Sequence, residues 1–167
     1  MENRKPTRGE RNNNPLNIKI SKSKWVGKIK EGKKDPVFEE FDTLVNGLRA
    51  ALKLIRNYIK SGYNTAEKIV RRWCPDETQD TYVNNVLTVL RKEVANFEDN
   101  EPIRWYDHEL IFWLVRAMAW QESAVLIEPP LFYEAWQLLD SANKWNREQK
   151  KTEEANNLVQ KEQDLAQ

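Results

Sequence analysis

Glu122 is a carboxylate in an apolar place. It closes the run Ala117-Met118-Ala119-Trp120-Gln121-Glu122-Ser123, and stepping back by four, three and four residues meets Met118, Val115 and Ile111. On a helix, Glu122 therefore extends the apolar stripe instead of the wet face. Desolvation disfavours the charged form of such a carboxyl and raises its pKa. An acid that keeps its proton near neutral pH is what cleavage of a glycosidic bond requires of a general acid. The bland alternative is a carboxylate at a helix end that simply reaches water.

Amides are the second chemical signal. Asn12, Asn13, Asn14 and Asn17 cluster around Pro15, and each side chain offers both donor and acceptor. They could hold a polar ligand, or they could satisfy the backbone of a turn. Arg11 could bind a carbonyl or carboxylate, or clamp the loop to the fold. Tyr82 could hydrogen-bond the carboxyl or a ligand, or serve as core or rim on an amphipathic helix. Ser123 could orient Glu122 or cap the turn after it. Glu10, Glu39 and Glu40 are expected to be solvated, not catalytic. His108, near a helix start, is expected at the surface and not as a base. Seven Trp in 167 residues tempt a ligand groove, but Trp113 and Trp136 lie within apolar helices and read as core.

The elements that must position these groups are mostly helical. Leu44, Leu48, Ala51, Leu52, Ile55 and Ile59 recur at helical spacing and predict a first helix over 43–60, with Gly62 just beyond. Thr65 opens a second through about Trp73, stopped by Cys74-Pro75. A third begins at Asp80 or Thr81, a fourth runs from about Asp107 to Gln121, and a fifth follows Pro129-Pro130 through Leu139. Residues 1–11 read as a flexible basic arm, 12–143 as the folded domain with an irregular N-terminal segment, and 144–167 as a polar tail, helical or disordered.

Bulk composition narrows the class. The chain is 32% charged and 40% hydrophobic with net charge +1, as expected of a globular domain with a real core. Residues 1–34 carry eleven Lys and Arg against three Glu, so the remainder is near −7 and no continuous basic stripe is expected on a helix there. A nucleic-acid role resting on the arm and the aromatics is therefore disfavoured. One cysteine, Cys74, leaves no internal disulfide, and with a single His no metal or other cofactor is expected. The longest pure apolar run, Leu110 to Val115, is far short of a membrane span, and the first twenty residues lack a secretory signal.

One string is distinctive. Arg8-Gly9-Glu10-Arg11-Asn12-Asn13-Asn14-Pro15-Leu16-Asn17-Ile18 resembles the R-G-x-R-N-N-N-P-G-N-I opening of lysozyme-like muralytic proteins of phage particles and prophages. Three more stretches agree in the same order. Phe38-Glu39-Glu40-Phe41-Asp42-Thr43 with Gly47-Leu48-Arg49-Ala50 looks like F-x-x-F-x-T and G-I-R-A. Ile69-Val70-Arg71-Arg72-Trp73-Cys74-Pro75 with Thr81-Tyr82-Val83 looks like I-I-x-R-W-A-P and A-Y-I, and Ala117 to Glu122 looks like A-M-x-x-x-E. The resemblance covers about residues 8–140 and not the tail.

It implies a mainly α, lysozyme-like α+β fold and cleavage of the MurNAc-GlcNAc bond of peptidoglycan. Glu122 would act as a lone acid/base in lytic transglycosylation, with Arg11, Asn12, Asn13, Asn14, Asn17, Tyr82 and Ser123 binding substrate. The Glu-Ser helix comes last here and the Asn-rich element first, an order that looks like a circular permutation of the usual one. Two departures stand out: Leu16 replaces the family's Gly, and after Glu122 the chain has Ser123-Ala124 where Asn-Gly or Ser-Gly is usual. If the turn at Leu16 requires a positive φ, Leu would strain it. The expected partners are glycan strands and, through the tail, other virion proteins. The chain is expected to stay cytoplasmic until released or carried in a particle. The alternative is a non-catalytic glycan-binding or virion structural protein on the same fold.

Overall fold

The computed structural model describes residues 3–166, with the side chains of 144–146 outside the description. The architecture is mainly helical. A short turn α1 (Arg8–Arg11) is followed by α2 (Leu44–Lys60), α3 (Ala66–Trp73), α4 (Gln79–Glu93), α5 (His108–Ser123) and α6 (Pro129–Leu165). The helix starts are set by local chemistry. Thr43, Thr65 and Asp107 each accept a hydrogen bond from the backbone N–H three residues on, which satisfies a donor the helix leaves free.

α5 is the axis of the core. Leu110, Ile111, Leu114, Val115, Met118 and Ala119 are essentially inaccessible, and α4 packs along it. α3 packs on α4, and α6 lies along α2. Each fully buried aliphatic side chain contributes roughly 1.5–3 kcal/mol relative to exposure. α5 is thus held by many independent contacts before its end at Glu122 is considered.

The N-terminal quarter is irregular, as expected, but not loose. Two isolated antiparallel bridges, Lys19 with Phe38 and Lys28 with Phe41, tie 18–20 and 27–29 to 37–42. Asp35 is the hub. Its carboxylate takes Arg8 Nε and Nη2 at 2.6 and 2.7 Å, Asn12 Nδ2 at 2.8 Å, and the amides of Val37 and Phe38. Arg8–Arg11, assigned above to the arm, form a helical turn closed by a capping box between Thr7 and Glu10. This turn is held to the fold because Arg8 is pinned by Asp35, Glu10 pairs with Arg4, and Gly9 is buried.

The polar tail continues α6 as one helix to Leu165, exposed from Arg147 onward. No helix among the described residues is long and apolar enough to cross a membrane. α2 departs from expectation in its charge. Arg49, Lys53, Arg56 and Lys60 recur at four, three and four, so a basic stripe does run along a helix outside the first 34 residues.

Candidate active site

Glu122 stands in the last turn of α5, and the triple-Asn loop is folded against that turn. Asn17 Nδ2 donates to the Glu122 carbonyl at 2.9 Å, and Ser123 Oγ donates to the Pro15 carbonyl at 2.7 Å. The two ends of the sequence resemblance are therefore neighbours. Gly9 and Gly47 make this possible. A Cβ on Gly9 would collide with Ser123, and one on Gly47 with the Asn13 carbonyl.

Glu122 opens onto a groove of about 460 Å³. Trp25, Phe38, Tyr58 and Trp73 supply aromatic walls, Lys19 and Arg72 supply cations, and Asp76 supplies a second carboxylate. Burial pushes the Glu122 carboxyl up to about 7 from an ordinary 4.5. The Tyr82 hydroxyl and the Asn17 amide partly oppose that rise, as does Lys19, while the charge on Asp76 adds to it. Tyr82 is itself buried, its ionisation suppressed by desolvation and by Glu122, and its hydroxyl lies 3.4 Å from the Met118 carbonyl. It thus stays neutral and can donate to the carboxylate when Glu122 ionises.

The other residues expected to bind substrate divide sharply. Asn14 is fully buried, donating to the carbonyls of Ile18 and Glu39 and accepting from the Ile18 amide. Asn12 is buried on Asp35, and Asn13 donates to the Phe41 carbonyl. Ser123 is buried on Pro15. Each of these four side chains donates to a protein partner and none lines the groove, an arrangement that suits structural roles; of the three asparagines, Asn14 has both its amide atoms engaged. Arg11 is exposed and donates to the Pro6 carbonyl, a local clamp away from the groove lining. Of the expected residues Asn17 and Tyr82 remain against Glu122, and among the described residues the Asn17 Oδ1 is buried without a partner.

Glu39 overturns the expectation of a solvated side chain. It is fully buried with Lys28 Nζ 2.8 Å from Oε2, an ion pair inside the N-terminal quarter. Glu10 completes the α1 capping box, and Glu40 accepts from the amides of Lys34 and Asp35. His108 is exposed, as expected, with its ring beside Trp136. The tryptophans split: Trp136 is core, Trp25 and Trp73 line the groove, and Trp120 is exposed.

Asp76 is the groove residue that sequence reasoning passes over. It is exposed, accepts from the Thr78 amide and hydroxyl, and those bonds hold its pKa below the ordinary value. The signal available was its place directly after Trp73-Cys74-Pro75, a stretch within the resemblance.

The two departures resolve differently. Leu16 does not adopt a positive φ. The left-handed positions are Asn13 and Asn17, both at φ 51°, a conformation Asn tolerates. Leu16 is instead fully buried, and its carbonyl accepts from the Trp73 indole at 2.9 Å. Ala124 does sit in the left-handed region, at φ 52° and ψ 31°, where a Cβ costs roughly 1 kcal/mol.

Comparison with known proteins finds no matching family model. The chain is similar to Protein P5 of Pseudoalteromonas phage PM2, 47% identical over 100 residues. That stretch is 54% of this chain and 62% of the phage protein. The chain is therefore related to a phage protein and spans less than two thirds of that relative's length.

Proposed function

We propose that the chain is a phage-associated enzyme that cleaves the glycan strand of peptidoglycan, with Glu122 as its acid/base. The observation that carries this reading is the carboxyl itself: raised to about 7 by burial, at the end of a rigid helix, opening onto an aromatic groove. Aromatic faces stack on sugar rings, and the cations Lys19 and Arg72 suit the carboxylates of peptide stems.

In the transglycosylase form, protonated Glu122 gives its proton to the bridging oxygen as the glycosidic bond breaks. The resulting carboxylate then removes the proton from the muramic C6 hydroxyl. The C6 oxygen closes onto the anomeric carbon and leaves a 1,6-anhydro end. The proton count balances, and Glu122 ends protonated. Asn17 and Tyr82 contribute fixed dipoles beside the carboxyl, worth most where water is excluded.

Asp76 favours a second reading. A hydrolase needs a second carboxylate to activate water or steady the cationic centre, and Asp76 lines the same groove with its pKa held low. The non-catalytic alternative, a glycan-binding or virion structural protein, assigns the groove to binding alone and the α6 tail to other virion proteins.

One experiment separates them. Purified peptidoglycan is digested with wild type and with Glu122→Gln, and the products are read by mass spectrometry. Anhydro-muropeptides from wild type alone are expected. Hydrated reducing ends would assign hydrolysis and make Asp76 the residue to substitute next. No cleavage by wild type would leave binding or structure.

A further inference from the structure

The basic stripe of α2 faces two adjoining hollows on the α6 side of the molecule. The inner one, about 90 Å³, is bounded by Arg49, Lys53 and Arg56, by Lys24 and Trp25 from the N-terminal loop, and by Asn143 of α6. Among the described residues no carboxylate lines it. The outer one, about 480 Å³, shares Arg56 and Asn143, adds Lys60 and Arg147, and holds one acid, Asp140. A fold with a net charge of +1 has no general reason to gather six cations around one carboxylate.

Arg56 is the informative member. It is only 6% exposed, and buried guanidinium groups are ordinarily paired. Here none of the ion pairs among the described residues includes it. Among the described residues its hydrogen-bonding side-chain partner is the Asn143 amide, its Cζ lies 5.6 Å from the centre of the Trp105 ring, and its Nε has no partner. Asp140 offsets part of its charge from the outer hollow without pairing with it, and a buried charge so incompletely compensated is costly until a further anion neutralises it. The planar fork of Arg, flanked by flexible ammonium groups, is the donor set that oxyanions with more than one charge recruit.

We propose that this face of α2 binds a phosphate group, with Arg56 as the central donor and Arg49, Lys53 and Lys24 around it. The inner hollow has room for a single tetrahedral oxyanion. From Arg49 to Lys60 the stripe extends roughly 16 Å, so a phosphodiester chain could continue into the outer hollow toward Lys60 and Arg147. The ligand is thus a phosphate, either free or carried on a polyanion. The site does not depend on the glycan reading: Trp25 borders both regions, but Glu122 lines only the other groove.

The test is calorimetric titration of the full chain with inorganic phosphate, and separately with a short single-stranded oligonucleotide, at low and high salt. Wild type is expected to bind phosphate. Arg49→Gln combined with Lys53→Gln, both on the accessible side of the stripe, is expected to weaken it about tenfold with unchanged circular dichroism. Arg56→Gln is expected to abolish it; if that variant does not fold, the double variant decides. Tighter, steeply salt-dependent binding of the oligonucleotide would identify the phosphodiester chain as the source. Binding of inorganic phosphate alone would identify a free phosphate. Failure of wild type to bind either probe, or equal binding by the double variant, would overturn the proposal.

Discussion

Asp35 and Glu122 are both carboxylates drawn into the body of the protein, and they behave in opposite ways. Asp35 is surrounded by donors: the Arg8 fork, the Asn12 amide and two backbone N–H groups. Chiefly through Arg8, they hold its pKa far below the carboxylate range. Glu122 has apolar helix behind it and only Tyr82 and Asn17 as nearby donors, so desolvation prevails and its pKa rises to about 7. Donor supply at Asp35 and desolvation at Glu122 together separate a carboxylate that fastens a loop from one that can deliver a proton.

Substitutions can break this contrast. The largest expected effect is on the proposed glycan cleavage. Glu122→Gln should lower the rate by about a thousandfold, the usual scale for removing a general acid. Asp35→Asn should lower the melting temperature by several degrees yet leave the rate per folded molecule within a few-fold. Rate assays paired with thermal melts read both. Equal losses of rate would erase the distinction.

Next comes the pH dependence of stability, where the two carboxylates have opposite signs. The folded pKa of Asp35 is depressed, so its contribution is present above the unfolded value and is lost as pH falls through the folded one. The folded pKa of Glu122 is raised. Its contribution is complete below 4.5, is lost as pH climbs to about 7, and leaves a constant penalty beyond. Glu122→Gln should therefore stabilise the protein above about pH 7, on the order of 2 kcal/mol. It should do little below pH 4.5. Denaturant melts across pH measure this, and a stabilisation independent of pH would assign it to packing.

The smallest expected effect sharpens the site's edge. Ala124→Gly relieves the left-handed residue after Ser123 and should add about 1 kcal/mol. Chemical denaturation reads it, and no gain would mean that the turn relaxes in solution.

The helices were legible in the sequence because their signals are local. Thr43, Thr65 and Asp107 cap where expected, and the step from Ile111 to Glu122 marks the carboxyl directly. Most of the asparagines were not legible as structural. Asn14 binds the Glu39 carbonyl and Asn12 the Asp35 carboxylate, partners 25 and 23 residues away that no turn rule anticipates. Asp76 was hidden because an exposed loop acid carries no periodicity. The α2 stripe was obscured because summing charge over residues 35–167 cancels Arg49, Lys53, Arg56 and Lys60 against acids in other elements, although α2 itself carries none.

The most direct measurement is the titration of Glu122 itself, by ¹³C NMR of carboxyl-labelled protein with Glu122→Gln to assign the resonance. An inflection at about 7, missing from the variant, is the expected result. An inflection near 4.5 would mean a solvated carboxylate with no proton to give at neutral pH, and would contradict the account.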